Sequence, residues 1–247
     1  MWTRDAVRIL TQRLKYLFFG NYHGVSVGWL TKQGIEFQSS LQLFIDLGYD
    51  EQLVVKALEE GASQHIDACR VSESGKYSER FNSECELSKL VYAYILLEKP
   101  LIVVETGVAN GISTKVIMSA LEQTGGVLHS FDIDREAATA YRGSGNWKFH
   151  LLPRKNAMEA LKMEIENLSH VDLWLHDSNH GFKWQIFEYK LAISKLSTYG
   201  GFLVSDDVDA STAWGTLSKS VKYNFKIAFD KRKFIGFSEI RGRNARL

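Results

Sequence analysis

Beyond Pro100 the chain alternates short apolar runs with amphipathic stretches, a rhythm that few folds accommodate. Leu101-Ile102-Val103-Val104 is unbroken and rich in β-branched residues, the pattern of a strand buried on both faces of a parallel sheet. Helical spacing follows over 113–123, then an apolar run over 127–131 and a helix near 135–142. The alternation continues with a strand over 147–151, a helix over 156–168, a strand over 171–175, a helix over 182–196 and a strand over 201–204. Such a succession predicts a doubly wound α/β fold. The end departs from it: the apolar runs 225–229 and 234–237 flank only Asp230-Lys231-Arg232-Lys233. A crossover helix does not fit in so short a turn, so these two strands are expected to form an antiparallel hairpin. The expected sheet is therefore seven-stranded, mostly parallel, and closed by that hairpin.

Residues 1–83 read differently, as a helical and irregular cap preceding a ligand-binding domain over 84–247. Helices are expected over 5–19, 38–47 and 50–60, with a polar loop over 72–76. Ser83 followed by Glu86 suggests a capping box for a helix over 84–98. The aromatic residues Tyr16, Phe18, Phe19, Tyr22 and Trp29, with His23, would serve as a lid, a packed cap or a dimer contact, and packing is expected for most of them.

The charge balance, 30 Lys plus Arg against 29 Asp plus Glu, argues against a nucleic-acid partner. The basic tail Arg241, Arg243 and Arg246 reads as a solvated end. The two cysteines, Cys69 and Cys85, form neither a disulfide framework nor a metal pair. No run approaches the ~18 apolar residues of a membrane span, and the amino terminus lacks the basic-then-apolar order of a signal peptide. A cytoplasmic protein without membrane contact is expected.

The first strand leads into Glu105-Thr106-Gly107-Val108-Ala109-Asn110-Gly111-Ile112-Ser113. Glycines allow a sharp turn and close approach of a ligand to the backbone, and the following helix offers free N–H groups. A dinucleotide fingerprint would need glycine where Ala109 and Ile112 stand, and no P-loop is present. Glu105 would repel a phosphate, so the turn favours a cationic or zwitterionic ligand, although a purely structural turn would look the same. One βαβ step later comes Phe131-Asp132-Ile133-Asp134, where Asp132 suits a pair of ribose hydroxyls. Asp134 reads as a helix cap, and Asn156-Ala157 would border an adenine.

These segments, together with Leu175-His176-Asp177-Ser178-Asn179-His180 and Gly200-Gly201-Phe202-Leu203-Val204-Ser205-Asp206-Asp207-Val208, resemble the successive motifs of class I methyltransferases. Within that class the resemblance is to metal-dependent small-molecule O-methyltransferases, including sugar and macrolide tailoring enzymes, and it covers roughly residues 84 to 240. It implies S-adenosylmethionine as cofactor, bound by Glu105, Thr106, Gly107, Asn110, Gly111, Ser113, Asp132, Asn156, Ala157 and Asp177. It also implies a small-molecule acceptor, with a homo-oligomer as an open question.

In an open α/β sheet, ligands bind beyond the carboxyl ends of the strands, where Asp177, Asp206 and Asp207 are expected to gather. Neighbouring carboxylates repel unless something positive lies between them, and Mg²⁺ with oxygen ligands meets that need. Helix capping by the same aspartates is the competing explanation. A hydroxyl acceptor also needs a base, and His180, three residues past Asp177, is the candidate, acting with Asp177 as the catalytic pair. His176 and His129 are expected to pack in the core. Two other readings stand beside O-methylation: a metal-independent N-methyltransferase, and a non-catalytic protein that binds S-adenosylmethionine.

Overall fold

Side-chain alternation along the strands sets the layers of the molecule. A computed structural model describes residues 24–72, 77, 82–230 and 233–241. In strand β2 (Ile102–Thr106) Val103 enters one hydrophobic cluster and Val104 the other. In β6 (Gly201–Ser205) Phe202 and Val204 point one way and Leu203 the opposite way. Strands apolar on both faces need cover on both. One face is covered by α2 (Ser40–Asp46), α3 (Glu51–Val71), α4 (Cys85–Glu98) and α5 (Ile112–Thr124). The opposite face is covered by α1 (Val27–Lys32), α6 (Ala157–Glu166), α7 (Phe182–Tyr199) and α8 (Ala213–Ser220).

The remaining strands are β1 (Glu36–Phe37), β3 (Val127–Asp132), β4 (Trp147–Leu151), β5 (Leu173–His176), β7 (Lys226–Asp230) and β8 (Lys233–Ile240). Their order in the sheet is β1-β7-β8-β6-β5-β2-β3-β4. Strands β2 to β6 run parallel, while β8 is antiparallel to both β6 and β7. The doubly wound, mostly parallel sheet with a terminal hairpin is as expected, but it has eight strands, not seven. The extra one, β1, adds two residues in parallel to β7 at the sheet edge. Both residues are exposed, so no apolar run announces it.

Three helical elements depart from the sequence reading for local reasons. α3 continues eleven residues past the expected end, because Gly61 is a helix-crossing point and not a stop. A methyl group there would lie 3.0 Å from both Lys89 Cα and Tyr92 Cβ of α4. The segment after β3 is a short 3₁₀ turn, Arg135–Thr139, with Asp134 accepting a hydrogen bond from the Glu136 N–H at 3.1 Å as its cap. α4 begins at Cys85 and has no capping box. The buried Ser83 hydroxyl finds no partner among the described residues, and Glu86 instead accepts from Ser40 and pairs with Lys89. The cap comes from a distant strand: Asp230 of β7 accepts from the Leu87 N–H at 2.9 Å.

Trp29 packs against α8, where a methyl on Gly215 would lie 2.4 Å from its ring. The expected helix over 5–19, the other aromatic residues of the amino-terminal segment, Arg243 and Arg246 lie outside the described residues. No helix among the described residues is long and apolar enough to cross a membrane.

Burial pushes the Asp230 carboxyl up to about 6. A carboxyl that resists ionisation in the fold favours the folded state while protonated, so that stability falls as pH rises from about 4 to about 6. Asp230→Asn keeps an oxygen for the Leu87 N–H and cannot ionise. Urea unfolding should show it equal to the parent at pH 4 and more stable at pH 7. At pH 4, Asp230→Ala should cost about 1 kcal/mol through loss of the cap, whereas Ser83→Ala should cost nothing measurable.

Candidate active site

The winding of the sheet reverses between β2 and β5, and the loops leaving these neighbours meet at that switch point. Gly107 has φ +83°, and a Cβ on it would fall 2.1 Å from the Asp177 carbonyl oxygen, so only glycine admits this approach. The Asp177 N–H in turn donates to the Thr106 carbonyl at 2.9 Å. The glycine turn and Asp177 are thus in backbone contact. At the far end of the turn Gly111, φ +71°, starts α5 with its Cα against Ala140.

Glu105 is fully buried, and its carboxylate accepts from Ser113 Oγ at 2.6 Å, Thr114 Oγ1 at 2.8 Å and Ser130 Oγ at 2.6 Å. Burial pushes its pKa up against these hydrogen bonds. Glu105 thereby ties the first turn of α5 to β3. Ser113 spends its hydroxyl on the same knot. Thr106 likewise points downward, donating to Glu188 at 2.6 Å.

Asp132, at the tip of β3, clamps the turn by accepting from Val108 N at 2.8 Å and Ala109 N at 3.3 Å, and it accepts from Asp134 N at 2.9 Å. Beside it opens a cavity of about 460 Å³ lined by Ile133, Asp134, Arg135 and Leu151 to Arg154. Asn156 and Ala157 do not line it: Asn156 takes a left-handed conformation, φ 60°, to start α6, and Ala157 is buried in the core. Asn110 is engaged by the chain itself. Its side chain accepts from Tyr77 N at 3.1 Å and donates to Tyr77 O at 3.0 Å and Asn82 Oδ1 at 2.8 Å, pinning the segment before α4 to the turn.

On the other side of Asp177 the acidic residues gather as expected. Ligand atoms of Asp177, His180 and Asp206 lie within 4.8 Å of one another. Asp207 joins through His180, Oδ2 to Nε2 at 3.3 Å, and it adopts φ +46° in doing so. The positive charge that such a cluster demands is already present, in a residue the sequence reading missed. Lys233, the first residue of β8, pairs with Asp206 Oδ2 and lies 3.8 Å from Asp207 Oδ2. Burial opposes its charge, but Asp206, Asp207 and Asp177 outweigh it and keep the ammonium protonated. Burial likewise opposes ionisation of Asp206, yet Lys233 and His180 hold that carboxyl below the usual range. Burial and the Asp206 charge push Asp177 well up and Asp207 up to about 7. His180 is pushed down to about 4, by burial and then by His176.

Beneath this cluster lies a second polar layer. His176 is fully buried but not simply packed: its Nδ1 meets Glu188 Oε2 at 2.6 Å. Glu188 also accepts from Thr106 and from Ser178 at 2.7 Å. It thereby ties the tips of β2 and β5 to α7. Alternation along α7 gives no warning of a buried glutamate. Lys233 carries a faint signal, since period two places it on the face of the buried Ile235 and Phe237. His129 is largely buried as expected, but it contacts His150 Nε2 at 2.9 Å and not an apolar core.

Removing the Glu105 carboxylate strands three buried hydroxyls at about 1 kcal/mol each. Glu105→Ala should lose about 3 kcal/mol in urea unfolding. A loss under about 1 kcal/mol would show that the knot does not hold the turn.

Residues 104–208 match the family model of the methyltransferase domain. No curated protein matches the chain. The fold is shared with the S-adenosylhomocysteine-bound methyltransferase PaMTH1 of Podospora anserina, at 12% identity and TM-score 0.58, over 98% of this chain and 97% of that one. It is shared with an O-methyltransferase from Bacillus cereus in complex with S-adenosylhomocysteine, at 13% identity and TM-score 0.54, over 72% and 91% of the two chains. The O-methyltransferase TomG of Streptomyces achromogenes, solved with S-adenosylmethionine and involved in tomaymycin synthesis, aligns at 17% identity and TM-score 0.52, over 74% and 90%. Residues 104–208 are thus similar to a methyltransferase domain, and the chain shares the Rossmann-like fold of these solved structures.

Proposed function

We propose that this chain transfers the methyl group of S-adenosylmethionine to a hydroxyl of a small metabolite, with His180 as proton acceptor. The observation that carries the reading is the backbone contact of the glycine turn with Asp177, which sets a cofactor turn against a buried carboxylate–imidazole cluster. Asp132 and the cavity beside it fit a ribose and an adenine, and the cavity wall after β4 runs from Leu151 to Arg154. The O-methyltransferase names of the Bacillus and Streptomyces fold relatives support an oxygen acceptor over nitrogen.

S-adenosylmethionine supplies an electrophilic methyl group on a sulfonium, open to in-line attack by a nucleophilic oxygen. The chain must hold that oxygen and take its proton. Burial pushes His180 down to about 4, so its imidazole is neutral and open to a proton. Its Nε2 lies 3.3 Å from Asp207 Oδ2 and 3.9 Å from Asp177 Oδ1, and its Nδ1 has no hydrogen-bond partner among the described residues. In this reading Asp207 faces the imidazole, while Asp177 and Asp206 are the carboxylates left for an ion. Asp206 Oδ1 is buried without a donor among the described residues, and together with Asp177 it fits a hard divalent cation such as Mg²⁺. An ion held by these two carboxylates would lower the pKa of a bound hydroxyl.

Calorimetry with S-adenosylhomocysteine should show binding, and Asp132→Ala should weaken it at least about tenfold, the scale of one lost charged hydrogen bond. His180→Ala should bind the product unchanged while turnover on a panel of hydroxylated acceptors drops about 100-fold or more. Undiminished turnover in that variant would remove His180 from the chemistry, and absence of product binding would remove the methyltransferase reading. Loss of turnover with a chelator, restored by Mg²⁺, tests the ion separately.

A further inference from the structure

We infer that Lys233 is an internal counter-ion of the acidic site, and that its ammonium and a divalent cation are alternative occupants of the same carboxylates. This rests on the reading of Asp177 and Asp206 as ion ligands. Four side chains converge on one small volume: Asp177 from the end of β5, Asp206 and Asp207 from the end of β6, and Lys233 from the start of β8. Asp206 is 1% exposed. One of its oxygens meets the Lys233 ammonium and the other is turned into the site without a donor among the described residues. The lysine side chain is itself only 15% exposed and reaches Asp207 at 3.8 Å, so it is enclosed by the cluster and does not skim its surface.

A buried carboxylate group cannot remain without a cation nearby, and a lysine and a divalent ion both meet that need. They cannot meet it together. A divalent ion coordinated by Asp206 would stand within a few ångströms of the ammonium, where like charges in a partly buried site repel strongly. The flexible four-carbon stem of lysine lets the ammonium withdraw, which a fixed backbone donor could not do. β8 pairs with β6 through Ser205↔Gly236, so the hairpin holds Lys233 opposite the aspartates whether or not an ion is bound. Lys233 is thereby a specificity-determining residue. It keeps the acidic site folded without an ion and sets the concentration at which an ion enters.

The test is Mn²⁺ binding by the full chain, followed by electron paramagnetic resonance and by melting monitored with circular dichroism. Lys233→Met and Lys233→Gln should bind Mn²⁺ at least about tenfold more tightly than the parent, and their melting temperatures should rise with Mn²⁺ far more than the parent's does. Lys233→Arg, which keeps the charge, should behave as the parent. If the neutral variants unfold without an ion, Mn²⁺ should restore their fold. Equal Mn²⁺ affinity in parent and neutral variants, tightening in Lys233→Arg as large as in Lys233→Met, or failure of Mn²⁺ to rescue an unfolded neutral variant would each overturn the inference. S-adenosylhomocysteine calorimetry on the same proteins reports the cofactor site independently: its failure would count against the methyltransferase reading and leave the Mn²⁺ result to judge Lys233.

Discussion

The site depends on the close approach of β2 and β5 at the reversal of the sheet. Because the chain winds outward in one direction from β2 and in the other from β5, the loops leaving these two parallel neighbours diverge and leave a crevice between them. Gly107 narrows the crevice to backbone contact with Asp177. Everything on one side of the crevice hangs from the turn that Gly107 begins, and everything on the other from the loop that Asp177 begins. A residue with a Cβ at position 107 would separate the two halves before any side chain chemistry came into play.

Two buried polar knots keep that contact in place, one under each loop. Glu105 gathers hydroxyls from α5 and β3, and Glu188 gathers Thr106, His176 and Ser178. Such knots contribute little net stability compared with apolar packing, but breaking one leaves unsatisfied partners in a region without water. Their effect is geometric. They fix where β2 and β5 end relative to α5 and α7, and so fix the turn and the aspartate relative to each other.

The layout was legible in the sequence because strand ends are marked by where apolar runs stop. Val104 before Glu105, Phe131 before Asp132, Leu175 before Asp177 and Val204 before Asp206 each place a polar residue at a tip, and period two fixes which strands have two buried faces. The direction in which a tip residue points was not legible. Glu105 and Asp132 occupy equivalent places in the pattern, yet Glu105 is swallowed by three hydroxyls whose positions 113, 114 and 130 only the fold brings together. Long-range partners carried no local signal either. Asp230 caps α4 across 143 residues, and Lys233 meets Asp206 across 27, so both were invisible to spacing arguments. The lysine matters most here, because it supplies the positive charge for which the aspartates alone suggest a metal.

Backbone strain marks the same edge of the sheet. Of the non-glycine residues with positive φ, Lys99 ends α4, whereas Ala109, Asn156 and Asp207 follow β2, β4 and β6 at their carboxyl ends. Each such conformation costs of order 1 kcal/mol or more and persists only where the surroundings enforce it. At Asp207 the enforcing contacts are His180 and Lys233, the proposed base and the proposed counter-ion. At Ala109 the enforcing contact is the carboxylate of Asp132, which grips the N–H groups of the turn. Among the described non-glycine residues, the opposite edge of the sheet, where the strands begin, carries only Lys99. Strain gathered where the cofactor turn and the acidic cluster face each other is what a preorganised site requires, since the conformation must already exist before a ligand arrives to stabilise it.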